Sequence, residues 1–553
     1  MVEAGLITTP EAERGFDLLD RVGDVAAAKA CMARELERTV SEYEADHEAI
    51  AIARRNLASV LQAAGDLADA EAHHRGALAV LTARLGERHV ETAISMNEYG
   101  QLRQTQGHFA EAKALYERSL EILTVNGLGR SALAARPITN LGRLYHDLGM
   151  LDDTQHYYED AWRIRSGQLG SINPETAGSI NDLGTVFDSH GMLEKGLAYL
   201  EEAQAIVEQT RPGDHPDVAN VLNNIARVLK SVGRDQEAIA GYRRALKIFE
   251  DHLGEDHIIV GQVANNLAVA YASEGELARA AELFGRAVAI FRDRLGDRHA
   301  NMGTVLTNLA SLLQREGRLD EALDMARVAL DIREERLGHV HPVTAQSMNN
   351  LAMVLAALGR KNEAVALFRE AAVVFTKSRG PNHPEVGQAF LNLGNCLQVV
   401  GELDEAWAAL ARARDVLVGF YGRHELVAFA NDNLAVVLLR LDRTGQALAA
   451  SDEAVRIYRE VGGSGPAFAA CLSNRGAILS ALGEDLAARD QLREALGEWR
   501  RSDQVNLASL RASLFNLAQA ELDLGNAAEA VRLQGQAEAL AARAAGPGTA
   551  YRT

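Results

Sequence analysis

The residues of this chain that could most plainly do chemistry are its histidines, because they keep a regular spacing. His47, His89, His215, His257, His299, His341 and His383 share one 42-residue register, Ser131 and Asn173 fill its gaps, and His424 falls one step short. A metal centre would need two or more imidazole nitrogens within about 2 Å of a single ion. Equivalent residues of stacked repeats stand at least roughly 10 Å apart, given the packing distance of helices. The row is therefore expected to set a polar residue at the start of one helix per unit, and no metal is expected. Cys31, Cys396 and Cys471 are scattered and form no CxxC or Cys/His cluster. So sparse and odd a count suits a reducing compartment. No GxxxxGK[ST], HExxH, GxSxG or glycine-rich strand–helix junction occurs, so neither catalysis nor a cofactor is expected.

Asparagine keeps the same register in two adjacent rows. One is nearly constant: Asn56, Asn140, Asn224, Asn266, Asn308, Asn350, Asn392, Asn433, Asn474 and Asn516, with Glu98 and Asp182 as its exceptions. Asn is a mediocre helix former, so its recurrence inside a helix calls for a scaffold role, an amide that ties neighbouring groups together. The row one residue earlier varies: Arg55, Asn97, Thr139, Asn181, Asn223, Asn265, Thr307, Asn349, Leu391, Asp432, Ser473 and Phe515. Variation at a fixed place in a repeat is what a specificity-determining surface requires.

The elements that must position these rows follow from glycine spacing. Gly23, Gly65, Gly107, Gly149, Gly191, Gly233, Gly275, Gly317, Gly359 and Gly401 are each 42 residues apart, and the register continues through Asp442 to Gly483 and Gly525. Before Gly233, Val218, Val221, Leu222, Ile225, Ala226 and Leu229 recur at helical spacing; after it, Ala238, Ile239, Tyr242, Ala245, Leu246 and Phe249 do the same. Each unit therefore reads as helix, tight turn, helix, with the glycine where the first helix stops. Five residues past the turn the chain has Ala28, Ala70, Ala112, Ala238, Ala280, Ala322, Ala364, Ala406, Ala447, Ala488 and Ala530, with small Thr154 and Gly196 between. Small residues there let two helices close to about 8 Å. First helices open on leads such as HPDV at 215–218 or HPEV at 383–386, where proline costs no hydrogen bond and the acid suits a helix N-terminus.

The run HPDVANVLNNIARVL at 215–229, the RRAL at 243–246 and the LGEDH at 253–257 resemble the 42-residue tetratricopeptide repeat of kinesin light chains and many bacterial proteins. The resemblance covers roughly residues 9–543. It implies an all-α, right-handed superhelical solenoid of about 13 tandem helix–turn–helix units: a leader at 1–8, regular units to about 422, irregular ones at about 423–500, a last unit at about 505–543 and a tail at 544–553. It further implies that positions 13, 10, 6 and 3 before each turn line a concave groove. Read along the chain, that groove offers Arg136, Arg143, Asn181, Asn223, Arg227, Lys230, Asn265, Arg315 and Asn349, with His146 among them, as contacts for an extended, acidic peptide segment. Their side chains are expected to be exposed. Towards the C-terminus it turns apolar, at Phe429, Val436, Leu439, Phe515 and Leu522, which suits a hydrophobic peptide, the chain's own tail or self-association through the C-terminal repeats.

Composition narrows the function classes. A net charge of −19 opposes nucleic acid and anionic membrane as partners. The start of the chain, MVEAGLITTPEAERG, has neither the basic nor the apolar region of a secretory signal, and no stretch approaches a membrane span. The expectation is a cytoplasmic, non-enzymatic scaffold or adaptor for a protein or peptide partner. The alternatives are a sensor solenoid that changes conformation on binding a small peptide or effector, and an accessory subunit of an enzyme system on another chain.

Overall fold

The computed structural model describes residues 10–18, 25–148, 150–189, 192–211, 214–501 and 506–544. The leader at 1–8, all of the tail but Ala544, and the turn centres Gly23, Gly149 and Gly191 lie outside the described residues. Among the described residues there are 26 helices, from Pro10–Asp17 to Ala527–Ala544, and no strand. They divide between two compact units: unit 1 comprises Met1–Leu313 and Asp320–Ser347, unit 2 Gln314–Leu319 and Met348–Thr553.

One repeat explains the rest. The helix Pro216–Ser231 ends at Gly233, whose φ is +74°. The Gly233 N–H donates to the Lys230 carbonyl at 3.1 Å and that of Arg234 to the Leu229 carbonyl at 2.9 Å. These paired bonds satisfy carbonyls that a helix end would otherwise leave open, and they need a left-handed residue at the turn. The helix Asp235–Leu253 then runs back along the first. Ala238 meets it with no exposed surface, and so do its equivalents from Ala28 to Ala488; Ala530 is 2% exposed. Ile225, Tyr242, Leu246 and Phe249 fill the layer between the helices. Each such large side chain contributes roughly 1.5–3 kcal/mol when fully buried. That burial, more than helix propensity, holds helices of sixteen to nineteen residues in place.

The histidine row has a capping function. The Nδ1 atoms of His47, His89, His215, His257, His299, His341, His383 and His424 each accept the backbone N–H two residues on, at 3.1–3.2 Å. Ser131 and Asn173 accept through their own oxygens, on the N–H of Ala134 and Glu175. Among the described residues no group of three or more His, Cys, Asp or Glu could hold a metal ion. All three cysteines are buried and free.

The constant asparagines form a ladder across repeats. Asn140 donates its Nδ2 to the Oδ1 of Asn97 at 2.9 Å, Asn224 to Asn181 at 2.9 Å, Asn266 to Asn223 at 3.2 Å, Asn308 to Asn265 at 2.9 Å and Asn392 to Asn349 at 3.0 Å. Asn474 does the same to both carboxylate oxygens of Asp432, at 3.1 and 3.0 Å. The constant row thus donates to the variable row of the repeat before it. A buried amide left alone would cost more than these bonds return, so the ladder fixes the register of one repeat against the next.

Candidate functional site

In unit 1 the helices Val90–Thr105 and Ala132–Asp147 border a cavity of about 430 Å³. Ile94, Asn97 and Gln101 of the first and Arg136, Thr139 and Arg143 of the second line it, at the positions 13, 10 and 6 before their turns. Phe16, Leu123 and Leu133 give it apolar wall, and Arg165 reaches it from the helix Leu151–Leu169. Pro137, also in the wall, sits inside its helix. It has no N–H, so the Leu133 carbonyl beside the cavity lacks its usual helical donor.

The charges around this cavity account for the two exceptions in the asparagine row. Glu98 takes the place of an amide, and its Oε2 lies 3.3 Å from Nε of Arg55, a residue with no exposed surface. Arg55 also donates through Nη1 to Glu91 at 2.9 Å. Burial pushes the Glu98 carboxyl up, against the opposing pull of Arg55 and Arg136. Asp182 repeats the pattern one step removed: burial pushes its carboxyl up to about 6, while Arg143 and Arg165 favour the charge. Arg165 is itself held by Thr139 Oγ1 at 3.1 Å and Ser179 Oγ at 2.5 Å. Gln101 donates to Asn140 at 3.3 Å. The cavity is therefore lined by three arginines and several amides, with Glu98 in its wall and the buried Asp182 nearby, each acid drawn towards particular arginines.

Arg165 is not on the face read from the sequence, because it belongs to a second helix. Its signal was a column: five residues before the closing glycine stand Leu81, Phe249, Phe291, Phe375 and Leu417, with Arg165 and Arg333 the charged members. Arg333 is 5% exposed, donates to Ser347 Oγ at 2.6 Å, and is pushed down to about 10 by burial. A cation in an apolar column marks a place where the chain holds charge inside.

The other residues read from the sequence are distributed between the units. Asn181, Asn223, Arg227 and Lys230 are half-buried in unit 1, and Asn265 is buried there; Asn349 is buried in unit 2. The side-chain oxygens of these four asparagines accept ladder bonds, which draws them inward from the exposed face. In unit 2, Phe429, Phe515 and Leu522 are 38%, 39% and 47% exposed, and Val436 and Leu439 are half-buried. From Gln346 to Leu522 the positions 13, 10, 6 and 3 before each turn hold one ionisable side chain, Asp432. It is 4% exposed, with its carboxyl pushed up to about 6 by burial.

The family model described as tetratricopeptide repeat matches residues 50–124 and then, in overlapping segments, 190–251, 217–293, 259–335, 301–377, 343–417, 385–460 and 426–501, more than half of the chain. The chain belongs to the tetratricopeptide repeat family. A comparison with curated protein sequences finds no match. Among solved structures, the chain is similar to the nearly identical repeats of a kinesin light chain from Podosopora anserina, at 25% identity over 37% of this chain and 98% of that one, with a TM-score of 0.32. It is similar to BtubC (BKLC) from P. vanneervenii at 23% identity, over 43% and 93% of the two chains, with a TM-score of 0.36. A Rap protein complexed with Competence and Sporulation Factor is similar at 16% identity, over 66% and 97%, with a TM-score of 0.46. The tetratricopeptide fold is typically a non-catalytic scaffold for protein interaction. No helix among the described residues is long and apolar enough to cross a membrane.

Proposed function

We propose that this tetratricopeptide repeat protein is an adaptor that binds an extended segment of a partner protein, with acidic side chains of that segment received at the arginine cavity of unit 1. The observation that carries this reading is the convergence of Arg136, Arg143 and Arg165 on one 430 Å³ cavity in a chain of net charge −19. A guanidinium in a partly desolvated cleft attracts a carboxylate more strongly than one in open water. Amides at Gln101 and Asn97 supply donors and acceptors for a peptide backbone, which every sequence presents alike. Arg227 and Lys230 extend the cationic line to a later repeat. The charge-poor rows of unit 2, with Phe429, Phe515 and Leu522, suit an uncharged, apolar stretch of the same or another segment.

The test is fluorescence anisotropy with two labelled ten-residue peptides, one rich in Glu and Asp, the other its Gln and Asn counterpart. The acidic peptide should bind the wild type at least tenfold more tightly, and Arg136→Gln/Arg143→Gln should remove that preference while helicity is kept. Equal binding of the two peptides, or a preference that survives in the variant, would refute the proposal.

A further inference from the structure

Repeat stacks take their curvature from contacts between neighbours, and among the described residues the closely packed helix pairs are adjacent or next but one, save one. That one is Val25–Glu42 against Leu277–Leu295, both in unit 1. A seam of specific contacts lies around it. His299 caps the helix Ala300–Arg315 through Nδ1, on the N–H of Asn301 at 3.1 Å, and its Nε2 lies 3.3 Å from the carbonyl oxygen of Ala63. Since Nδ1 accepts, Nε2 carries the proton and donates to that carbonyl. Arg336 donates through Nη1 to the Gly65 carbonyl at 3.2 Å and lies 3.4 Å from Asp66, while the Arg298 carbonyl holds its Nε at 2.7 Å.

The turn glycines set this place apart from six equivalent ones among the described residues. A Cβ at Gly65 would stand 3.0 Å from the His299 ring, and one at Gly107 2.7 Å from the His341 ring. At Gly233, Gly275, Gly359, Gly401, Gly483 and Gly525 a Cβ would meet nothing within 4 Å. Both glycines touch the histidine that follows by the same distance along the chain, between five and six repeats later. Two successive turn tips thus dock on two successive helix caps, and Leu337 adds an apolar contact to the cluster around Met32 and Leu57.

We propose that this seam is a releasable latch. Closed, it fastens the first repeats of unit 1 onto the repeats around His299 and fixes their curvature; open, it lets unit 1 uncoil and widens the concave groove. Release costs no helix its fold, because the described contacts of the seam, the His299–Ala63 and Arg336–Gly65 hydrogen bonds, the partly exposed Arg336–Asp66 ion pair and the van der Waals contacts, all join separate repeats. The latch stands independently of what the groove binds. Its action as a gate for a ligand rests on the reading above.

The test is double electron–electron resonance between spin labels at Glu37→Cys and Glu282→Cys, two exposed positions on the helices that meet. The otherwise wild-type chain should give one narrow distance. In His299→Asn/Arg336→Glu the distance should lengthen and broaden, with helicity unchanged by circular dichroism. Asparagine keeps the cap, as Asn173 does at 2.9 Å, yet cannot reach Ala63. The single variant His299→Asn therefore carries the test if the double variant loses helicity. His215→Asn, the same exchange at a cap away from the seam, should leave the narrow distance alone. A broad distribution in the otherwise wild-type chain, or a narrow one that the seam variants do not move, would overturn the latch.

Discussion

Among the described residues, Asp442 alone has a positive φ without being glycine, at 58°. It occupies the turn position that Gly233 fills elsewhere, and its N–H makes the same bond back, to Leu439 at 3.1 Å. A side chain in that conformation costs about 1–2 kcal/mol, part of which glycine gives back through greater freedom in the unfolded chain. Asp442→Gly should therefore stabilise by roughly 0.5–1 kcal/mol, seen as a melting temperature about 2 °C higher; an unchanged or lower melting temperature would count against strain at this turn. A second residue-scale consequence concerns His74. It has no exposed surface, and neither ring nitrogen has a hydrogen-bond partner. Burial, then Arg55 and His73, push its pKa down to about 4. The unfolded chain takes up that proton first, so the contribution is whole above pH 6.5 and is lost as pH falls from 6.5 towards 4. The full loss is roughly 3 kcal/mol. His74→Phe should flatten that acid limb in urea titrations between pH 7 and 4.5, and an unaltered slope would show that the ring is not buried neutral.

Pairs of helices close on the alanine contact. Ala238 has no exposed surface where it meets the first helix of its repeat. Ala238→Trp should overpack that contact and cost roughly 1–3 kcal/mol or more, read from the urea midpoint. A variant with the wild-type melting temperature would mean that the helices do not close on this residue. The same economy of space recurs along the row, which is why the core needs few aromatic residues: 5% of the chain. The second helices do more than pack, however. Arg165 and Arg333 stand in a column of Phe and Leu and carry charge inward to Ser179 and Ser347.

For the whole molecule, periodicity made the architecture readable, since turn glycine, small residue and cap histidine each repeat at one spacing. The place of the histidines at helix starts was readable for the same reason, while the capping bond through Nδ1 came with the structure. The asparagine row could be assigned to scaffolding, but its partner could not, because a bond between adjacent repeats depends on how far one helix is displaced along the next. That bond also explains why Asn265 and Asn349 are buried although they occupy the face expected to be open. Face spacing, read with the family resemblance, named Arg136 and Arg143, which line the cavity, whereas Arg165 required the neighbouring helix. The seam at Gly65 and His299 was beyond reading, for it arises from small rotations summed over more than five repeats.

The ladder has a consequence for how such a chain is inherited. Where one asparagine answers another, as from Asn181 to Asn308, every rung is the same. A gene that loses or duplicates one whole unit there rejoins an amide to an equivalent amide, so the ladder closes again although the seam across it changes partners. Around Glu98 and Asp182 the rungs are charges, matched to Arg55, Arg136, Arg143 and Arg165 in particular adjoining units. A deletion there strands an ion from its counterion inside the protein. Along the uniform stretch the ladder tolerates a change of length, at the cost of the Arg336–Asp66 contact that spans it, whereas around the cavity the charges themselves oppose one.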